Sequence, residues 1–250
     1  MPHADHASAR APVETGSPWI RPTTGFWQRL EPLAEWHGRW SPPWRHGVPV
    51  RVPAEPEERV LFLPIRALPN SSDRGVASLI ANQASLDVAD ALTKTMGRLA
   101  TPLDAEVVVG LPTLGFVFAC GVARSLGHTR WVPLGYSRKF WYDEALSTEV
   151  ASITTPGPGK RLYLDPNQLA LVRGRRVLLV DDALSSGQTV QQVWTLMEHL
   201  GAEVAGVVVA MRQGERWRAA LGHERAQRVH GVFDSPLLEL RDHGWWPMAS

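Results

Sequence analysis

The sequence predicts an α/β fold in which a parallel-sheet core carries helices on both faces. Short runs of aliphatic residues alternate with segments whose apolar residues recur every three or four positions, as in amphipathic helices. The aliphatic runs have no polar face, which is typical of strands covered on both sides. One helical segment separates neighbouring runs, as a crossover between parallel strands requires. In such a sheet, ligands bind at the carboxyl ends of the strands.

The individual elements follow from the same two patterns. Strands are predicted at residues 60–63, 107–109, 131–134, 177–180 and 204–210, where the aliphatic runs lie. Helices are predicted at residues 79–99, 116–126 and 189–200, where apolar residues share one face. Residues 135–170 lack periodicity and contain a Pro-Gly-Pro-Gly breaker, so we expect a long loop there. The charged segment 215–228 is interpreted as a solvated helix face.

The first 56 residues differ in composition from the rest of the chain. Residues 1–15 are rich in Ala, Pro, Ser and His and are predicted to be a disordered tail. Residues 16–56 carry many prolines and tryptophans, and we expect an ordered but irregular arm on a domain that spans residues 57–250. Two interpretations of the tryptophans stay open. They pack the arm onto the domain, or they form a partner surface or a base-stacking site.

Composition excludes several classes of function. The chain has 250 residues, of which 44% are hydrophobic and 20% charged, as in ordinary globular proteins. The formal net charge of +1 provides no field that would favour nucleic acid or an anionic membrane. No run approaches the about 18 apolar residues of a membrane span. The single cysteine, Cys120, excludes an internal disulfide and favours a reducing compartment. We therefore expect a cytoplasmic protein with no membrane or nucleic-acid partner.

The segment that follows the strand at 177–180 combines groups that suit a phosphorylated sugar. Asp181 and Asp182 lie where the strand ends, so their side chains reach the ligand crevice. Small hydroxyl-bearing residues follow, and Gly187 can adopt the positive φ that lets the backbone approach a ligand. The loop amides and the N-terminus of the next helix favour an anion. From these residues alone, a ribose 5-phosphate site and a metal site held by the paired acids are equally supported.

The stretch VLLVDDALSSGQT, residues 177–189, resembles the phosphoribosyl-diphosphate signature of type I phosphoribosyltransferases. The resemblance extends over about residues 57–235, and the adenine and xanthine enzymes are the most similar. It implies the phosphoribosyltransferase fold, with a small hood beside the parallel sheet. It assigns the ribose hydroxyls, and Mg²⁺ held directly or through water, to Asp181 and Asp182. The residues that it assigns to the 5-phosphate are Ala183, Ser185, Ser186, Gly187, Gln188 and Thr189.

Two other segments fit the same family order. Residues 110–116 follow a strand and resemble the family's diphosphate loop, in which backbone amides hold the leaving group. The residues assigned to the diphosphate are Thr113, Leu114 and Gly115. In the adenine enzymes the backbone of the hood strand contacts the base, which maps to Leu61 and Leu63. This segment departs from the adenine pattern, since Leu63-Pro64 stands where Arg-Asp is usual.

The long segment 135–165 corresponds to a loop that closes over the site in the family. We expect this loop to be flexible, to exclude water and to bring cations to the diphosphate. Its available donors are Arg138, Lys139, Tyr142 and Lys160. Of these donors, Arg138 and Lys139 are predicted to have a catalytic role.

The resemblance implies an enzyme that transfers the 5-phosphoribosyl group from phosphoribosyl diphosphate to a nucleobase and releases diphosphate. The expected base is a purine, the expected cofactor is Mg²⁺, and the expected assembly is a homodimer. An alternative stays open because the arm and the base segment depart from the family. In that alternative the chain binds phosphoribosyl diphosphate or nucleotides as regulatory ligands and has no transferase activity.

Overall fold

A computed structural model of the protein describes Thr23 and residues 25–69, 71, 73–152, 155–242 and 244–248. The tail predicted at residues 1–15 lies outside the described residues. The strands are β1 (Leu30–Pro32), β2 (Gly47–Val52), β3 (Arg59–Ala67), β4 (Arg74–Ala77), β5 (Val107–Gly110), β6 (Val132–Pro133), β7 (Ser147–Ser152), β8 (Thr155–Tyr163), β9 (Arg176–Leu184), β10 (Glu203–Gln213), β11 (Val229–Ser235), β12 (Leu237–Arg241) and β13 (Gly244–Pro247). The α-helices are α1 (Leu86–Ala100), α2 (Phe116–Ser125), α3 (Leu169–Val172), α4 (Gln188–His199) and α5 (Arg216–Ala226).

The core of the molecule is a parallel sheet with the strand order β11-β10-β9-β5-β6. Alternate residues of β9 face opposite sides of this sheet. Val177 and Leu179 belong to a core that includes α4 and α5. Leu178 and Val180 belong to a second core that includes α1 and α2. The predicted α/β class is confirmed, because strands that are apolar on both faces need a helical layer on each side.

A second, antiparallel sheet forms the hood. Its strands follow the order β1-β3-β4-β12-β13, and β2 pairs with the other edge of β3. The sequence analysis did not predict β12 and β13. β12 follows the last strand of the central sheet and pairs with β4, and β13 pairs with β12. The hood therefore combines strands from both ends of the described chain. It packs beside the second core, which includes buried residues from β2 and β3.

The N-terminal arm contains two strands that the sequence analysis did not predict. β2 pairs with β3 over six residue pairs, and β1 pairs with the opposite edge of β3. Trp44 forms a bridge to Trp245 of β13, so the arm also contacts the C-terminal strand. Trp36 is buried and stacks on Phe62 of β3 at 5.5 Å between ring centroids. The interpretation in which tryptophans pack the arm onto the domain is therefore confirmed for Trp36. The predicted domain boundary between residues 56 and 57 lies between strands that pair with each other, β1 and β2 on one side and β3 on the other.

The segment 135–165 is more regular than predicted. Its described part contains the antiparallel hairpin of β7 and β8, so the prediction of a structureless loop is wrong there. Gly135 bridges to Tyr163 at the base of this hairpin.

Element boundaries also differ in detail. α1 begins at Leu86 rather than residue 79, because Ser85 caps the helix by accepting a hydrogen bond from the Val88 amide at 3.3 Å. α5 is interrupted at Gly222, where φ is +77°, and it buries Trp217 instead of presenting only a solvated face. Among the described residues, no helix is long and apolar enough to cross a membrane.

Candidate active site

A cleft of about 500 Å³ lies at the carboxyl ends of β5 and β9, between the central sheet and the hood. This volume falls in the range of small-molecule sites, about 300–1,000 Å³. The loops that follow β5 and β9 form its floor, and the segment that follows β4 forms its opposite wall. The position agrees with the rule that ligands of parallel sheets bind beyond the strand ends.

The two predicted acids lie together in this cleft. β9 continues through both aspartates to Leu184, and the amide of Asp182 donates a hydrogen bond to Oδ1 of Asp181 at 2.9 Å. Burial, followed by the charge of Asp182, raises the pKa of Asp181 well above its usual value. Burial also raises the pKa of Asp182. Both pKa shifts show that this environment disfavours two negative charges without a compensating cation or hydrogen-bond donor.

The loop after β9 forms an anion cradle. Gly187 has a φ of +80°, and a Cβ atom at this position would lie 2.9 Å from Cα of Trp217. Glycine is therefore required both by the backbone angle and by the close approach of α5. α4 begins directly after Gly187, which has no side chain to cap the helix; the Gln188 amide donates to Oγ of Ser186 at 3.4 Å, and among the described residues no side chain accepts from the Thr189 and Val190 amides. These amides are available to an anion, and the helix dipole adds to the attraction.

The structure separates the predicted phosphate residues into two groups. Those that line the cleft are Ala183, Ser185, Ser186, Gly187 and Thr189. Gln188 does not line the cleft and is exposed at the first turn of α4. Its amide approaches Oγ of Ser186 at 3.4 Å, so its side chain is not needed to form the loop.

The loop after β5 forms the facing side of the cleft. Thr113 and Leu114 line it, and the peptide bond between Pro112 and Thr113 is cis. Gly115 lies below them, where an added Cβ would be 2.9 Å from Cα of Asp181. Gly115 therefore lets this loop pack against the acidic pair, and it does not itself line the cleft.

The two basic residues that the sequence reading gave a catalytic role lie outside the cleft. Arg138 forms an exposed ion pair with Glu144 at 3.0 Å, and Lys139 is exposed. Neither lines the cleft in this structure, so the catalytic role of these two residues stays a prediction. The hairpin brings a different cation, Lys160, into the cleft, where its Nζ lies 5.2 Å from the ring centroid of Tyr136. Which residue faces the cleft depends on the pairing of β7 and β8, which the sequence alone did not reveal.

Tyr136 is a cleft residue that the sequence analysis missed. Its hydroxyl donates a hydrogen bond to the carbonyl oxygen of Pro112 at 3.3 Å. Burial, followed by the charges of Asp181 and Asp182, raises the pKa of Tyr136. The phenol therefore remains protonated near neutral pH and serves as a hydrogen-bond donor. The sequence signal that could have identified Tyr136 is its position directly after Gly135, which follows the strand predicted at residues 131–134.

The hood wall also differs from the expectation. Leu61 and Leu63 have no exposed surface and belong to the second core, so neither lines the cleft. The physical reason is that β3 lies between β1 and β2 at Leu61, which leaves that backbone no free edge. The residues that form the wall instead are Arg66, Val76, Ala77, Ser78, Leu79, Met211 and Gln213. They come from β3, from β4 and the two residues after it, and from β10, which lies more than 100 residues further along the chain.

Comparison with known proteins identifies the family. The family model of the phosphoribosyl transferase domain matches residues 75–226. The chain belongs to this family. The predicted resemblance to type I phosphoribosyltransferases is thereby confirmed, and the protein is an enzyme of the phosphoribosyltransferase class. The acidic pair, the cradle after β9 and the loop after β5 all lie within the matched residues.

Curated relatives include enzymes for two kinds of base. The chain is 34% identical to an adenine phosphoribosyltransferase of Cutibacterium acnes over 164 residues, which cover 63% of this chain and 77% of the relative. It is 33% identical to an orotate phosphoribosyltransferase of Acinetobacter baumannii over 131 residues. This second match covers 52% of the chain and half of the relative's length. The relatives thus do not decide between the two bases.

Solved structures agree on the fold. An adenine phosphoribosyltransferase from Giardia lamblia, complexed with 9-deazaadenine, matches with a TM-score of 0.55 at 21% identity and covers 69% of this chain and 93% of that chain. The enzyme from Thermoanaerobacter pseudethanolicus gives a TM-score of 0.51 at 20% identity, with coverage of 69% and 95%. Both matches support the phosphoribosyltransferase fold.

The cleft also suits a divalent cation. Among the described residues, no three His, Cys, Asp or Glu side chains come together as a complete metal site. Asp181 and Asp182 supply carboxylate oxygens, the ligand type that Mg²⁺ prefers, and a cation beside them would offset the charge repulsion that raises the pKa of Asp181. The residues present therefore fit a phosphoribosyltransferase in which Mg²⁺ arrives with an oxygen-rich substrate.

Proposed function

We propose that this phosphoribosyltransferase transfers the 5-phosphoribosyl group from phosphoribosyl diphosphate to a purine base. The observation that carries the proposal is that one cleft combines two acids with an uncapped helix N-terminus. A ribose 5-phosphate presents hydroxyl groups and an anion, and these are the groups that acids and free amides bind.

The proposed reaction is a single displacement at C1 of the ribose. A nitrogen atom of the base forms a bond to C1 as the bond from C1 to the diphosphate oxygen breaks, and the N–H proton of the base passes to the departing diphosphate or to water. Asp181 and Asp182 hold the ribose hydroxyls, and the amides after Gly187 hold the 5-phosphate. Mg²⁺, when bound with the substrate, offsets charge on the leaving group.

The other side of the cleft holds the leaving diphosphate in this proposal. The backbone of Thr113 and Leu114 faces the acids, and Lys160 adds a positive charge from the hairpin. The neutral phenol of Tyr136 lies near the same place, and in this proposal its proton turns from the Pro112 carbonyl to the diphosphate. Most of the rate enhancement then comes from position and charge stabilisation, because no covalent intermediate is required.

The test is diphosphate release from phosphoribosyl diphosphate with a panel of purines, pyrimidines and nicotinate, measured with Mg²⁺ and after exhaustive chelation. We expect release with at least one base, no release without a base, and loss of release on chelation. Binding of phosphoribosyl diphosphate without release for any base would overturn the proposal and support a regulatory role. Full release after chelation would overturn the part assigned to Mg²⁺.

Two further expectations are part of the proposal. A cytoplasmic location is supported by the exposed free thiol of Cys120, which a reducing compartment protects. A homodimer is expected from the family resemblance, and sedimentation equilibrium of the full chain tests it directly.

A further inference from the structure

The hood wall is the part of the cleft that remains for the base. The proposed function assigns the loops after β5 and β9 to phosphoribosyl diphosphate, which leaves the opposite wall. Val76, Ala77, Leu79 and Met211 make much of this wall apolar, whereas the two loops present acids, hydroxyls and amides. A planar heteroaromatic ring buries its faces best against apolar groups. The hood wall is therefore the base subsite of the proposed function.

The backbone of this wall is held by two buried glutamine side chains. Nε2 of Gln213 donates to the carbonyl oxygen of Ala77 at 2.7 Å. Nε2 of Gln28 donates to the carbonyl oxygen of Ser78 at 3.1 Å, and its Oε1 accepts from the amide of Ile80 at 2.7 Å. Gln213 is 7% exposed, and Gln28 has no exposed surface. Breaking either set of bonds leaves buried polar groups unpaired, so these bonds fix the backbone of the wall in the empty cleft.

Gln213 connects this wall to the strand that lies beside the acidic pair. It belongs to β10, which pairs in parallel with β9 so that Met211 lies opposite Ala183, the residue directly after the acids. Among the described residues, the bond from Gln213 to Ala77 is the one hydrogen bond that joins a strand of the central sheet to a strand of the hood. This bond therefore relates the position of the base wall to the position of the acids.

We propose that Gln213 is a positioning residue, which holds the wall of the base subsite at a fixed distance from the acids that bind the ribose. Gln28 holds the same wall from the side of the arm. This inference rests on the proposed function and names the residues that set its base subsite. The distance matters because the base must meet C1 of a ribose that is held elsewhere, and a misplacement on the order of 1 Å can lower a rate about a hundredfold.

The experiment compares Gln213→Met with wild type and with Gln83→Met. Methionine keeps an unbranched side chain of similar length and removes the donor to Ala77. Gln83 is the matched control, because its side chain is exposed, lies outside the cleft and follows the same wall in the chain. The first measurement is kcat/KM for the most active base of the panel, beside the calorimetric affinity for phosphoribosyl diphosphate. The second is the calorimetric affinity for ribose 5-phosphate and for adenosine, inosine and orotidine 5′-monophosphates. The third is hydrogen exchange of residues 76–80 in the empty protein.

Gln213→Met should lower kcat/KM for the base at least about tenfold, while its affinity for phosphoribosyl diphosphate changes less than about twofold. The best-bound nucleotide should lose most of its affinity advantage over ribose 5-phosphate, and ribose 5-phosphate itself should bind as it does to wild type. Residues 76–80 should exchange faster than in wild type, because their wall has lost one of its two holding side chains. Gln83→Met should match wild type in all three measurements.

Three results would overturn the inference. One is a folded Gln213→Met variant with wild-type recognition of base and nucleotide. Another is altered recognition with wild-type exchange of residues 76–80, which would make Gln213 a direct contact of the base. The third is a wild-type protein that binds no nucleotide better than ribose 5-phosphate.

If Gln213→Met does not fold, Gln28→Met takes its place, because Gln28 holds the same wall and does not line the cleft, and the same results count against the inference. Loss of the nucleotide advantage in the variant, in a protein that releases no diphosphate with any base, would reject the proposed function and retain the inference.

Discussion

Gln28 connects the N-terminal arm to the cleft, and its replacement tests whether the arm supports the fold. Along one edge of β3, β1 pairs with residues 59–61 and β4 pairs with residues 65–67, which leaves a gap between them. The fully buried Gln28 fills this gap. Its Nε2 donates to the carbonyl oxygens of Phe62 and Ser78, each at 3.1 Å, and its Oε1 accepts from the Ile80 amide at 2.7 Å.

Gln28→Met keeps an unbranched side chain of similar length and removes all three hydrogen bonds. At about 1 kcal/mol each, their loss costs about 3 kcal/mol, and the buried amide of Ile80 left without a partner brings the total to about 4 kcal/mol. A domain of this size loses about 2–4 °C of Tm per kcal/mol, so we expect a decrease of about 8–16 °C.

Calorimetric or circular-dichroism melting of the full chain measures this shift. Gln83→Met is the matched control. The side chain of Gln83 is exposed and lies three residues before α1 begins, so this replacement should change Tm by less than about 2 °C. A Gln28→Met protein that melts within about 3 °C of wild type would refute the idea that this amide joins the arm to the hood.

Three other predictions follow from the site and the sheet. Asp182→Asn should lower turnover or affinity for phosphoribosyl diphosphate at least tenfold, about 1.4 kcal/mol, and unaltered kinetics would reject its role. Gly187→Ala should destabilise the protein in urea more than Gly174→Ala, since both have positive φ but only Gly187 would bring its Cβ against a neighbouring helix; equal losses would contradict this. Burial, followed by the charge of Arg212, lowers the pKa of His230 in the folded protein. The unfolded chain therefore binds the proton more readily, and the folded state loses stability as pH falls below about 6.5. His230→Gln should lose less stability than wild type between about pH 7.5 and 5.5 in urea unfolding.

The sequence predicted the parallel sheet and the phosphate cradle because both depend on local patterns. Val177 to Val180 are apolar on both faces, and this pattern suffices to predict a central strand. Gly187 was predicted from the turn that it makes, and its φ of +80° confirms the reason. The acids followed from their place at the end of the same strand. In each of these cases the informative residues are adjacent in the chain.

The strand in the arm was missed although its pattern was present. Val48, Val50 and Val52 alternate with other residues, which is the period of a half-buried strand. Pro49 argues against a central strand, because proline has no amide to donate to a neighbouring strand. Among the described strands, β2 pairs only with β3, so it is an edge strand there, and a proline without an amide donor is tolerated in such a strand.

The cationic residue of the cleft depended on information that no local pattern contains. Arg138 and Lys139 carry the same charge as Lys160 and lie in the same segment. What separates them is the register of β7 and β8 and the ion pair from Arg138 to Glu144. Charge alone predicts all three residues equally well as the cation of the cleft, and only the tertiary structure shows that Lys160 lines it.

The lining of the cleft lies mostly within the part of the chain that matches the family. Asp182, Gly187 and Thr113, to which we assign the phosphoribosyl group, all lie within the matched residues 75–226. Arg66, which lines the hood wall of the cleft, lies outside this match, as does Thr23, the arm residue that accepts a hydrogen bond from its guanidinium. Family membership therefore predicts the phosphoribosyl chemistry and leaves the base open. Because an arm residue contacts Arg66 at the hood wall, we expect a change in the arm to alter this wall while the loop after β9, to which we assign the 5-phosphate, stays the same.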